Sequence, residues 1–235
     1  MPEAQSATES DLHKRMVHAT IQLLADDGPE ALQVRRIASA VGVSSMVVYS
    51  RFGGMPQLVE AVIVEGFRLL GERWGRLAPT DDPVADIYRF GLAYHESGRD
   101  NPHLFDLMFG LSTPGGYRQI ARPKRMPRAG GGTAFDDTYR ALIDHAGRAI
   151  RAERIRSEDP ERIAAELWSC VHGFTTLDLG GHYAHLANPI VDVFAPLATH
   201  LVVGLGDEPQ RAAKSIAVAI ASKSSATEAV QTSAG

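Results

Sequence analysis

The stretch VGVSSMVVYSRFGGM, from Val41 to Met55, can be read two ways. Its centre, Met46-Val47-Val48-Tyr49, has the β-branched and aromatic content of a strand. Its flanks argue for a helix. Gly42 stands where a short helix would end in a left-handed turn, Ser44 is a good N-cap, and Gly53-Gly54 closes the segment. As a helix, Val48 and Phe52 share one face at i, i+4, while Met46, Tyr49 and Ser50 share the other. As a strand, Val48, Ser50 and Phe52 would fall together and mix polar with apolar. The helix fits, and packing rather than propensity must hold so short an element.

Helical spacing continues on both sides. Leu12, Met16, Ala19, Leu23 and Leu24 predict a first helix, which Asp26-Asp27-Gly28-Pro29 ends. A second runs from Val34 to Val41, so that residues 32–51 read as two short helices about a Gly-containing turn, a helix-turn-helix. Pro56 suits the first turn of a fourth helix, which Leu58, Val62 and Leu69 carry to about Trp74. After Pro79-Thr80-Asp81-Asp82-Pro83 the pattern predicts longer helices at about 83–99, 102–110, 133–155, 160–179 and 189–205, with Pro196 placed to kink the last. Ser112 to Gly132 is rich in Pro, Gly and Arg and reads as a loop. Gln210 to Ala221 reads as one more short helix, and the Ser/Thr/Ala-rich last dozen residues as disordered. No segment alternates with period two, so the fold class is all-α.

A chain of 235 residues with 44% hydrophobic residues can build a substantial core. The start MPEAQSATES lacks a basic segment followed by an apolar run, and no apolar run reaches the ~20 residues of a membrane span. With Cys170 the lone cysteine, a cytoplasmic location without membrane association is expected. The net charge of −4 speaks against a protein that coats nucleic acid and leaves room for a local positive face. There is no G-x-S-x-G elbow, P-loop or dinucleotide glycine motif, and Ala129-Gly130-Gly131-Gly132 lacks the strand and lysine of a phosphate loop. No catalytic set and no cofactor are assigned. His172, Asp178, His182 and His185 cluster in sequence and offer an alternative as a metal sensor, against surface or pocket histidines, but no Cys pair or H-E-x-x-H accompanies them. Arg118, Arg122, Lys124, Arg125 and Arg128 form either an anion site or a solvated loop.

The run LQVRRIASAVGVSSMVVYSRF resembles the DNA-binding module of TetR-type transcriptional regulators. The resemblance rests on Ile37-Ala38, Gly42-Val43-Ser44, Tyr49 and Phe52, followed by a loop and a Leu58-containing helix, and covers about residues 10–65. Trp168, His172 and Gly173, with Asn101-Pro102 and Phe105 to Phe109, are similar to the Trp-His-Gly type of TetR effector domain. The resemblance implies a homodimer that binds operator DNA at one end and a small effector at the other. It implies a helix-turn-helix DNA-binding domain over 10–56, a helical effector-binding and dimerisation domain over 57–206, and a partly disordered tail over 207–235. The expected function is a ligand-responsive regulator, most simply a repressor released by a mostly apolar effector; the alternative is a helical ligand-binding protein without DNA.

Carried onto this chain, the family geometry places Arg35, Ser45, Met46 and Tyr49 near base edges and Gln33, Ser50, Arg51 and the start of helix four near phosphates, with Ser44 opening the reading helix. Arg can bridge guanine, Ser can donate or accept, and Met or the Tyr ring can meet thymine methyls. Val47 and Met55 depart from the pattern, which often has Thr and Lys there. Asp11 to Met55 carries Lys14, Arg15, Arg35, Arg36 and Arg51 against Asp11, Asp26, Asp27 and Glu30, a net +1. That is thin for phosphate binding, so backbone amides at helix starts are expected to contribute.

Tyr94, His95, Phe105, Met108, Phe109, Tyr139, Trp168, His172 and Thr175 mix bulk with a few polar groups and are the candidate effector contacts, each open to the alternative of being core. Ile163, Leu167, Cys170, Val171 and Phe174 form one apolar stripe. Ile190, Val193, Phe194, Leu197, Leu201 and Leu205 form another. They predict either a four-helix dimer interface or the monomer's own core.

Overall fold

The computed structural model describes the backbone of residues 2–110 and 134–233 and the side chains of residues 11–110 and 135–222. The expected loop at 112–132, with its basic set and Ala129 to Gly132, lies outside the described residues. Helices α1 (Pro2–Asp27), α2 (Val34–Val41), α3 (Ser45–Phe52), α4 (Met55–Gly75), α5 (Pro83–Asp100) and α6 (Pro102–Met108) are followed by α7 (Ala134–Arg151), α8 (Pro160–Leu179), α9 (Ala195–Gly204) and α10 (Pro209–Ser233). No strand occurs among the described residues, and no helix among them is long and apolar enough to cross a membrane.

Several helix starts share one device. A side chain accepts from the first free amides, and a proline, which has no amide to leave orphaned, occupies the first position. Asp82 accepts from Val84 and Ala85 before Pro83, Asn101 from Leu104 before Pro102, and Asp159 from Glu161 before Pro160. Glu208 accepts from the amides of Gln210 and Arg211 at the start of α10. Left-handed residues stop the helices as sharply. Gly42 (φ 75°) ends α2, Gly53 (φ 82°) ends α3, and Glu153 (φ 53°) follows the end of α7. The last accounts for a helix that stops at Arg151 rather than the expected 155.

The chain divides into two compact units, Met1–Leu69 with Asp100–Asp136 and Leu70–Arg99 with Asp137–Gly235. The expected boundary at 56–57 is therefore not where the packing divides. In the first unit, Met16, Leu24, Ile37, Val48, Phe52, Leu58 and Val62 form one buried cluster, and Leu104 and Leu107 of α6 complete it. Helix α6 packs on α1. An added Cβ at Gly66 of α4 would stand 2.6 Å from the Met108 sulfur, so α6 lies very close to α4.

In the second unit an ion network fixes α10. Arg154, its side chain only 5% exposed, donates to both carboxylate oxygens of Asp207 (2.8 and 2.7 Å), to Asp82 (2.6 Å) and to Ser215 of α10 (3.0 Å). Burial would raise the carboxyl pKa of Asp82, but hydrogen bonds from Ser215 and Ala85 and the Arg154 charge hold it below its ordinary value. Helix α10 extends to Ser233, well past the expected Gln210–Ala221 and through most of the residues expected as tail. Its Ala-rich sequence favours that, and Ala212, Ile216 and Ala219 are buried. The kink expected at Pro196 takes the form of a π-helical turn, Ile190–Phe194, just ahead of it. Pro196 cannot donate a helical bond, and Ala195 donates to the carbonyl of Ile190 instead.

Candidate DNA interface and effector cavity

The opening stretch folds as two short helices about a turn. The Gly42 amide reaches the carbonyls of Ala38 and Ser39, and Val43 donates to Ala38 at 2.9 Å. This left-handed turn re-aims the chain, and Ser44 is extended ahead of α3 (φ −78°, ψ 155°). Ser44 is thus the N-cap by position, yet its hydroxyl makes no capping bond. The Val47 amide donates to the Ser44 carbonyl, while the amides of Ser45 and Met46 keep their capacity to donate outward. Val48 and Phe52 face the core, whereas Met46 is 74% and Tyr49 52% exposed. Large apolar groups left this open on so short a helix point to a surface built for contact.

The other sequence candidates divide by their partners. Arg35, Ser50 and Arg51 are exposed, Ser45 is half-buried, and the Ser50 hydroxyl donates to the carbonyl of Val47. The Gln33 amide donates to the Glu30 carbonyl. Some of the cations counted in the head are already engaged. Arg36 pairs with Asp27, and Arg15 donates to the Val41 carbonyl at the end of α2. Val47 and Met55 pack against the buried cluster, which gives the apolar residues at these positions a structural role.

In the second unit a cavity of about 30 Å³ is lined by residues of the end of α4, α5, α7, α8, the π turn and α9. Tyr94 and Trp168 line it, as does Gly91, where Phe194 fills the space a side chain would occupy: an added Cβ would stand 2.8 Å from the Phe194 ring. Room for about two waters is all that remains, so a ring-sized ligand must displace lining side chains. The Trp168 indole N–H donates to the Tyr94 hydroxyl (3.3 Å), which leaves that hydroxyl to donate to Nδ1 of His172 (2.8 Å). Burial lowers the pKa of His172 and raises that of Tyr94, so neutral forms suit this relay.

The remaining effector candidates do not line the cavity. His95 is fully buried, donates to Asp178 at 2.7 Å, and lies tilted against Phe174. Tyr139 lies against Trp168 with ring centres 5.8 Å apart, and Thr175 is buried within α8. Phe105, Met108 and Phe109 belong to the first unit, where Phe109 meets Phe67 edge-on. Trp74, Tyr88, Phe90 and Gly91 line the cavity without having been singled out in the sequence. Gly91, a glycine in a helix interior, was the available signal.

The metal alternative gains no support. His172 and Asp178 are committed to Tyr94 and His95, His182 and His185 are exposed beyond the end of α8, and no group of three or more potential ligands occurs among the described residues. Burial raises the Cys170 thiol, which makes it a poor nucleophile.

Comparison with known proteins agrees with the two-part reading. A model of bacterial regulatory proteins of the tetR family matches residues 16–62, and one of the tetracyclin repressor-like C-terminal domain matches residues 87–201. No curated protein matches. A solved protein of unknown function from Rhodococcus sp. RHA1 is similar at TM-score 0.66 and 23% identity, over 83% of this chain and 96% of that one. RolR in complex with resorcinol is similar at TM-score 0.61 and 14% identity, over 90% and 95%. SCO4942 from Streptomyces coelicolor is similar at TM-score 0.55 and 18% identity, over 83% and 98%. At these identities the structures establish the fold alone. The two family models together cover more than half of the sequence, and with the helix-turn-helix they lead to one conclusion: the chain belongs to the TetR family of bacterial regulatory proteins.

Proposed function

We propose that this DNA-binding transcription regulator acts as a homodimeric repressor on a near-palindromic operator and is released by a small, mostly apolar effector. The observation that carries the DNA reading is the outward face of α3, where Met46 and Tyr49 stand exposed between two left-handed glycine turns. Arg35, Ser45, Met46 and Tyr49 meet base edges, while Gln33, Ser50, Arg51 and the uncapped amides after Ser44 meet phosphates. One such helix contacts few base pairs, so affinity requires two copies about 34–36 Å apart or a multiple of that. Footprinting on DNA upstream of the protein's own gene tests this: the expected result is a two-fold symmetric protected site, and a single unsymmetrical half-site bound by a monomer overturns it.

The dimer contact is proposed on α8 and α9, as the apolar stripes suggest, with a shift in the residues that carry it. Ile163, Leu167, Val171, Phe174, Phe194 and Leu205 are buried within the subunit. Leu177, Val191 and Leu197 remain 43%, 48% and 42% exposed and are the groups a partner would cover. Leu197→Glu should weaken dimerisation and DNA binding together while leaving the fold intact. The effector reading rests on the cavity beside Tyr94 and Trp168. The resorcinol bound by similarly folded RolR makes a ring-sized ligand reasonable. Such a ligand can act only by its differential affinity for the DNA-binding and released states.

A further inference from the structure

We infer that the effector is a neutral, ring-sized molecule carrying a hydrogen-bond acceptor, and that the indole N–H of Trp74 is the donor that receives it. The inference rests on reading the second unit's cavity as the effector site and adds the chemistry of its ligand. Both tryptophans of the chain line that cavity, and their N–H groups differ. Trp168 donates to Tyr94. Trp74 is 7% exposed, and its indole nitrogen is fully buried without a hydrogen-bond partner in the protein. Its ring is held in place by Phe90 and Tyr94, with centres 5.0 and 6.4 Å away. A buried donor left unpaired is costly, and a ligand that displaces the lining side chains can reach it and relieve that cost.

The other lining groups restrict the ligand further. No Asp, Glu, Lys or Arg lines the cavity, so a charged ligand would lose its hydration with no counter-charge in return. The Tyr94 hydroxyl is occupied by Trp168 and His172. The buried Tyr88 hydroxyl also lacks a hydrogen-bond partner, and burial pushes its pKa up to about 12, so it is a second neutral donor on the wall. An acceptor such as a carbonyl or hydroxyl oxygen on an otherwise apolar ring meets these conditions, whereas a carboxylate or an ammonium does not. Trp74 also lies in the last turn of α4, the helix that begins directly after the Gly53-Gly54 link.

Three molecules of nearly equal shape test the inference on the intact protein: acetophenone, α-methylstyrene, which replaces the carbonyl oxygen by a methylene, and benzoate. Binding is read by calorimetry and by the two indole N–H signals in ¹⁵N-edited spectra, with Trp74→Phe assigning them. Acetophenone should bind about tenfold more tightly than α-methylstyrene, the equivalent of one hydrogen bond, and should move the Trp74 signal downfield. Benzoate should not bind, and Trp74→Phe should bring the first two to within about twofold. Equal binding of the two neutral probes, an unmoved Trp74 signal on acetophenone binding, or benzoate binding as well as acetophenone would overturn the inference. The comparison between probes on the wild-type protein holds even if Trp74→Phe folds poorly. If none of the three binds, the cavity is not the effector site, and the inference falls with the reading beneath it.

Discussion

Gly91→Ala is the substitution whose outcome the packing fixes most narrowly. Gly91 lies inside α5, where alanine is favoured over glycine by about 0.8–1.0 kcal/mol. On helix propensity alone the change should stabilise the protein. The added Cβ, however, would stand 2.8 Å from Cζ of Phe194 and 3.6 Å from Cγ2 of Val171. Phe194 is only 3% exposed and its ring packs on Phe174 with centres 5.1 Å apart, so it cannot swing aside without opening the core. Overpacking of this kind costs about 1–3 kcal/mol. The net expectation is destabilisation by about 1 kcal/mol, a fall in melting temperature of about 2–4 °C for a chain of this size. Gly66→Ala is the control. There the close atoms are Sδ and Cγ of Met108, at 2.6 and 2.9 Å, on a flexible side chain that can reorient. It should be neutral or mildly stabilising. Thermal and urea melts of both variants, and of Gly91→Ala combined with Phe194→Leu, make a double-mutant cycle whose coupling should be about 1–3 kcal/mol in favour of the pair. Full propensity stabilisation by Gly91→Ala with Phe194 intact, and no coupling, would refute the close contact.

Arg154→Met should cost about 3–5 kcal/mol, because it leaves the buried Asp207 carboxylate without its partner; an unfolding free energy from urea melts lowered by less than about 1 kcal/mol would mean the network contributes little. Burial lowers the pKa of His172, and burial with the neighbouring Arg148 lowers that of His145, so both favour the neutral form in the fold. Their stabilisation is complete above the unfolded value of about 6.5 and is lost as pH falls through the depressed folded values. The melting temperature should therefore drop from pH 6.5 toward 5, and His172→Gln should make that drop shallower; an identical slope in the variant would exclude His172 as a cause. Met55→Lys should cost about 1 kcal/mol in melts, because Met55 packs on the first unit's core, and should leave the salt dependence of operator affinity unchanged. A slope steepened by about 0.9 per subunit would instead place residue 55 on a phosphate.

How much of this was legible follows from where each signal is stored. The helix-turn-helix could be read because its determinants are local. Gly42 and Gly53 adopt the left-handed conformation their positions require, and the i, i+4 pair Val48 and Phe52 is enough to orient α3. The bounds of α2 agree to the residue for the same reason. Determinants far apart in sequence were not legible. Arg154 joins Asp207 and Ser215, which lie 53 and 61 residues away, and Ser215 reaches Asp82 across 133 residues. No periodicity marks such a network, so α10 looked like a short helix ahead of a tail. The effector candidates are spread over both units for a related reason. Phe105, Met108 and Phe109 have the composition of a pocket wall, but α6 spends its apolar face on α1 and α4. Composition identifies a side chain that must be buried without saying in which of two cores. The apolar stripes on α8 and α9 show the same limit, since the spacing of Phe194 and Leu197 gives each as apolar and only the packing separates them. Phe194 is inside against Gly91, and Leu197 is left exposed. Trp74 was hidden most completely: as the last apolar residue of α4 it read as an end to a helix, and its unpaired N–H becomes visible only once α5 and α8 close around it.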